Sequence, residues 1–178
     1  MNLDLSIMPE CYLDTNLIET LVPPNRGYNH QKGCGTVASK MQNKFSDAFA
    51  VGLLDKDKRA IKYVEEFDSI INLEALELCK HRDRHHYLIF IKPALEQWLL
   101  NNVQEVGIAL KDYDLPGDLK SLTKITKTIT TKSDHQFKKL FRDLKARNAE
   151  QVIRLSRWIE YLRNHAYDTN IDELRQMN

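Results

Sequence analysis

The sequence predicts an α/β fold: a mainly parallel sheet flanked by helices, with an all-helical C-terminal extension. Three observations carry this. Strand-like and helix-like apolar patterns alternate along the first third of the chain. Residues 48–54 (Ala-Phe-Ala-Val-Gly-Leu-Leu) form an unbroken apolar run of strand length, the pattern of a strand covered on both faces. Beyond the Pro116-Gly117 turn, apolar residues recur only at helical spacing.

Taken in order, Leu3, Leu5 and Ile7 alternate with polar residues and suit a short strand ending at Pro9-Glu10. Leu13, Leu17, Ile18 and Leu21 share one face of a helix over 12–22, which Pro23-Pro24 ends. Tyr28-Asn29-His30 suits a very short strand inside a glycine-containing stretch. A second helix is expected over 36–45, burying Val37 and Met41. The apolar run 48–54 stops at Asp55-Lys56-Asp57-Lys58. Ile70-Ile71 and residues 87–91 suit further strands, and Pro93 fits the first turn of a helix through Leu99 and Leu100. Three helical stretches follow, around Leu122, around Leu140 and around Leu155. The expected division is a core over 1–112 and a helical extension over 113–178 that packs on it.

With 178 residues, 42% hydrophobic and 29% charged, the composition is that of one globular domain with a real core. No apolar run reaches the length of a membrane span, so no membrane partner is expected. The first residues lack a basic, then apolar, leader pattern. The three cysteines, Cys11, Cys34 and Cys79, are widely spaced without a CxxC pair, which argues for a reducing cytoplasmic setting rather than a disulfide scaffold. Net charge is +1, but residues 120–147 hold nine Lys/Arg against two acids, a local balance of +7. Lys120, Lys124 and Lys127 lie at helical spacing, and Lys138, Arg142 and Lys145 repeat the pattern. These six are the candidate nucleic-acid contacts, DNA or RNA, held through phosphates; the bland alternative is a solvated helix face. Aromatic residues are sparse there, so base stacking is not expected.

The candidate chemistry is carboxylate-based. Asp55 and Asp57 follow a buried strand, where open α/β sheets place their ligands. Glu10 follows the first strand, and Asp14 lies one helical turn on. If the two strands are parallel neighbours, the four acids converge, and like-charge repulsion calls for a hard cation such as Mg²⁺ or Mn²⁺. Phosphodiester chemistry then becomes available, with Glu10 and Asp55 as catalytic candidates and Asp14, Asp55 and Asp57 as metal ligands.

The ordered segments Pro9-Glu10-Cys11-Tyr12-Leu13-Asp14, Lys32-Gly33-Cys34-Gly35-Thr36-Val37 and Val51-Gly52-Leu53-Leu54-Asp55-Lys56-Asp57-Lys58 resemble the motifs of Toprim domains, more narrowly those of overcoming-lysogenization-defect (OLD) nucleases. The resemblance spans about residues 3–100. It implies a Toprim/Rossmann-like core, Mg²⁺-dependent cutting or rejoining of nucleic-acid strands, and a protein partner supplying an ATPase. It adds Glu96, within Ala94-Leu95-Glu96-Gln97-Trp98, as a further metal ligand. Toprim domains place glycine after the glutamate where this chain has Cys11; that departure favours a catalytically silent nucleic-acid or protein-binding module as the alternative. Tyr12-Leu13-Asp14-Thr15-Asn16-Leu17 also resembles the opening of PIN-domain ribonucleases, which implies a strand over residues 11–13.

Two lesser patterns complete the candidates. Cys79, His81, His85 and His86 have spacing that a zinc site could use, or a phosphate-facing basic turn. Cys34, near His30, has the chemistry of a nucleophile, and the glycine turn explains it equally well.

Overall fold

The structure is a computed structural model and describes residues 3–56 and 62–177. Five strands, β1 (Ile7–Pro9), β2 (Ala50–Asp55), β3 (Phe67–Asn72), β4 (Leu76–His81) and β5 (His86–Ile91), form one sheet in the order β1-β2-β5-β4-β3. The helices are α1 (Tyr12–Leu21), α2 (Cys34–Asn43), α3 (Leu95–Glu105), α4 (Leu119–Thr126), α5 (His135–Ala146), α6 (Glu150–His165) and α7 (Ile171–Gln176). No helix among the described residues is long and apolar enough to cross a membrane.

The expectation of a mainly parallel sheet holds for one half only. β1–β2 and β2–β5 are parallel, whereas β4–β5 and β3–β4 are antiparallel. The reason is connection length. β3, β4 and β5 follow one another through loops of a few residues, which can join only antiparallel neighbours, whereas β1 reaches β2 through a crossover carrying α1 and α2. The missing strand in the sequence reading was β4, where Lys80, Arg82 and Arg84 suggested an exposed turn; the turn is confined to residues 82–85. Residues Leu3–Ser6 form a 3-10 turn rather than strand, so β1 begins at Ile7. Tyr28-Asn29-His30 is not a strand, although Asn29 N and Gln31 N donate to Ile7 O and Pro9 O along the free edge of β1. Pro93 precedes α3 instead of opening it: Lys92-Pro93 is a cis peptide and Ala94 is the N-cap.

Side chains of β2 and β5 alternate between two cores. Val51, Leu53, Tyr87, Ile89 and Ile91 join a cluster with α1, α3, α5 and α6 that extends from Ile7 to Leu174. Ala50, Leu54, Leu88 and Phe90 face α2 through Val37 and Met41. The C-terminal helices thus complete the larger core of the sheet. Gly52 leaves no room for a side chain: a Cβ there would sit 2.7 Å from Leu88 Cδ2 on β5 and 2.9 Å from Val37 Cγ1 on α2. A buried link ties the two parts of the chain as well: Asn16 Nδ2 on α1 donates to Thr131 O (2.7 Å) and Asp134 O (3.1 Å).

Candidate active site

β1, β2 and β5 run parallel, so their carboxyl ends share one edge of the sheet, and the loops that follow carry the expected acids. Glu10 is fixed by its backbone before its side chain does anything: its N–H donates to Leu53 O and its carbonyl accepts from Gly33 N, both at 3.1 Å. Its carboxylate, on a residue only 2% exposed, accepts from Asp55 N at 3.2 Å through Oε2. Asp55, the last residue of β2, is 8% exposed, and its Oδ1 accepts from Leu95 N, the first residue of α3, at 3.0 Å. Glu10 and Asp55 therefore converge, as their positions after apolar strands implied. Repulsion between them is relieved in part by main-chain donors and the positive end of α3, so their closeness does not by itself demand a cation.

Asp14 has a local role that the expected constellation did not include. It is buried (1% exposed) at the third position of α1, and its Oδ2 accepts from Cys11 N at 2.9 Å while Cys11 Sγ accepts from Asp14 N at 3.3 Å. This reciprocal capping box gives Asp14 a part in starting the helix. It also accounts for Cys11, whose thiol is pushed far above its usual range by burial and by the Asp14 charge. Asp57 lies outside the described residues. Glu96, half-buried on α3, reaches the same side as Glu10 and Asp55 and accepts a hydrogen bond from Thr126 Oγ1, which joins α3 to α4.

Glu10, Asp55 and Glu96 line one open cavity of about 540 Å³, whose walls also include Tyr12, His30, Lys32, Gly33, Thr126 and Lys127. Gly33, at φ 95°, is the N-cap of α2, so the amino end of α2 lies at this wall beside Lys32. Lys127 belongs to the basic segment that the sequence singled out. Lys120 and Lys124 are exposed on the same helix, α4. The second group sits elsewhere. Lys138 and Arg142 line a separate depression with Glu19, Pro23 and Pro24, and Lys145 Nζ donates to Leu21 O at 2.9 Å. The six candidate cations therefore form two patches, one on each helix.

His30 is the functional candidate that sequence reasoning left aside. Its ring stacks on Tyr12, with centroids 4.5 Å apart and planes 16° from parallel. Burial, with Lys132 and Lys32 nearby, holds its pKa below the ordinary histidine value, so it is neutral at neutral pH. Thr15 Oγ1 donates to Cys11 O at 2.7 Å and has no second hydrogen, so it accepts in its 2.9 Å contact with His30 Nδ1. The imidazole then carries its proton on Nδ1. Nε2 has no hydrogen-bond partner among the described residues.

The oxygen donors of Glu10, Asp55 and Glu96 have the right chemistry for a hard cation. Among the described residues no three His, Cys, Asp or Glu side chains are placed to hold a metal ion together. The fit is to an ion such as Mg²⁺ that needs one or two carboxylates and fills its other positions with water and phosphate oxygens. The zinc pattern is not assembled. His81 and His86 are buried and committed: His86 Nε2 bonds Phe45 O (2.8 Å), and His81 Nε2 bonds Glu66 Oε2 (3.0 Å). Neither joins a phosphate-facing surface, and His85 alone of the three is exposed. Burial pushes the Cys79 thiol up to about 12, a structural cysteine rather than a thiolate ligand. No hydrogen bond joins Cys34 to His30 among the described residues, so the geometry does not single out Cys34 as a nucleophile. Comparison with known proteins identifies no relative: no protein-family model, curated protein or solved structure matches this chain.

Proposed function

We propose that the cavity at the carboxyl edge of the sheet is a Mg²⁺- or Mn²⁺-dependent phosphodiester site, making the protein a nuclease or nucleic-acid-processing enzyme. The observation that carries this is the convergence of Glu10 and Asp55 from the ends of neighbouring parallel strands into a cavity that Lys32 and Lys127 also line. The motif resemblance to Toprim domains points the same way. Asp55 would hold the ion, with Glu96 and Asp57 as further oxygen donors. When bound, such an ion neutralises phosphate charge and lowers the pKa of its water. Lys32, Lys127 and the amino end of α2 hold the phosphate, and Glu10 accepts the proton of the attacking water.

The test is cleavage of labelled single- and double-stranded DNA and RNA with Mg²⁺, Mn²⁺ or EDTA. Metal-dependent cleavage by the wild type, lowered at least about 100-fold in Glu10→Gln and in Asp55→Asn, supports the reading. Cleavage that survives both substitutions, or none under any metal, defeats it. Both variants keep an oxygen acceptor for Asp55 N or Leu95 N, so the fold is preserved.

A second reading, a binding module without catalysis, is favoured by one specific finding. The carboxylates of Glu10, Asp14 and Asp55 each accept a backbone N–H, so all three have a structural part to play. The PIN-like alternative loses its footing at residues 11–13, because Cys11 is the N-cap and Tyr12 opens α1 where that resemblance needs a strand.

A further inference from the structure

We propose that Tyr12, backed by His30, is a stacking platform for an unpaired nucleobase, so that the cavity takes single-stranded or locally unpaired nucleic acid. The inference rests on the phosphodiester reading and adds a substrate class to it. Tyr12 is half-buried, lines the same cavity as Glu10 and Asp55, and has one ring face covered by the near-parallel imidazole of His30. His30 in turn is held at its edge by Thr15, on the same helix as Tyr12. The two rings are thus oriented before any ligand arrives, and a rigid aromatic surface loses little freedom on binding. Lys32 and Lys127 line the cavity beside this surface. An aromatic face in one cavity with cations is the composition that holds a single strand, with bases stacked and phosphates neutralised. A duplex offers it little, because paired bases already cover one another's faces.

The platform was invisible in the sequence because Tyr12 and His30 come from different elements. They meet because residues 29–31 return along the edge of β1.

The experiment uses the full chain in EDTA, so that binding is read without cleavage. Fluorescence anisotropy compares a labelled oligothymidylate with an abasic oligomer of equal length and charge, and with a duplex. The wild type is expected to bind the oligothymidylate about 5- to 100-fold more tightly than the abasic oligomer, the range of one stacked base. Tyr12→Phe keeps that ratio and Tyr12→Leu brings it close to one. Equal binding of the two oligomers by the wild type, binding of neither, or a ratio unchanged in Tyr12→Leu overturns the proposal. The wild-type comparison decides the matter even if Tyr12→Leu fails to fold. Metal-dependent cleavage with no base-dependent binding would remove the platform and leave the phosphodiester reading; base-dependent binding with no cleavage would do the reverse.

Discussion

The two ends of the parallel strands carry histidines in opposite circumstances. At the amino ends of β2 and β5, His86 is 0% exposed and both of its ring nitrogens are engaged. Its Nε2 lies 2.8 Å from Phe45 O and 3.1 Å from Ala48 O, so it carries the proton, and Nδ1 accepts from the Tyr63 hydroxyl. Tyr63 and His81 pack edge to face on its ring, and Phe67 packs edge to face on those two in turn. At the carboxyl ends, His30 is half-buried, stacked on Tyr12 at a cavity wall, and has Nε2 without a partner among the described residues. Closed bonding marks a structural histidine, and open bonding beside a cavity marks a candidate for function. His81 and His86 of the Cys79-to-His86 pattern are of the first kind, and the isolated His30 is of the second.

The largest break in this comparison comes from truncating each ring. His86→Ala leaves the Phe45 and Ala48 carbonyls and the Tyr63 hydroxyl short of a partner and opens a void. A loss of about 3–5 kcal/mol in urea denaturation is expected. His30→Ala removes one hydrogen bond and one stack while also removing an orphaned nitrogen, and about 1 kcal/mol or less is expected. Equal losses at the two positions would erase the distinction between the ends.

A pH series sharpens it. Burial lowers the pKa of His86 below its ordinary value of about 6.5, and the same cause acts on His30. Between the lowered folded values and about 6.5, the unfolded chain takes up protons that the folded chain refuses. Stability is therefore complete above about pH 6.5 and declines as pH falls toward the folded values. Urea midpoints at pH 7.5 and 5.5 should show the decline. His86→Gln, less stable throughout, should show a smaller one. A pH dependence unchanged in His86→Gln would mean that other groups set it.

The same contrast explains what was legible in the sequence. Glu10 and Asp55 stood out because each ends an apolar run, and alternation along parallel neighbours left them one edge to share. The capping role of Asp14 was not legible because its partner in the capping box is Cys11, a residue outside the usual Ser, Thr, Asp and Asn caps. β4 was missed because basic residues at its end and in the following turn outweighed the alternation of Leu76 and Leu78. The Tyr12–His30 pair depends on a loop retracing the edge of β1, a long-range consequence with no local periodicity to announce it.

Metal binding is a smaller effect on stability and bears on the carboxyl end alone. A ligand at ten times its Kd adds about 1.4 kcal/mol, worth roughly 3–6 °C in a chain of this size. Thermal melts should rise by that amount with Mg²⁺ or Mn²⁺ in the wild type and stay level in Asp55→Asn. The same rise in both would place the ion somewhere other than the Glu10–Asp55 edge.

The smallest effect on stability, and the one that isolates binding, is expected from Lys120, Lys124 and Lys127 changed together to Gln. All three are exposed on or just beyond α4, so the fold should keep its stability within about 0.5 kcal/mol. Lys127 lines the cavity, and Lys120 and Lys124 extend the charge outward from it on the same helix. If they contact phosphates, the variant binds oligonucleotides of unrelated sequence more weakly. Its salt dependence flattens by about 2 in the log–log slope for a single strand, since each lost contact removes roughly 0.7. The matching change of Lys138, Arg142 and Lys145 tests the other patch, which faces Pro23 and Pro24 instead of the cavity. A salt slope altered by the α4 lysines and not by the α5 cations would place the strand over the carboxylate cavity. Equal losses from both sets would describe a diffuse basic surface, and no loss from the α4 set would leave Lys127 as a solvated side chain at the rim.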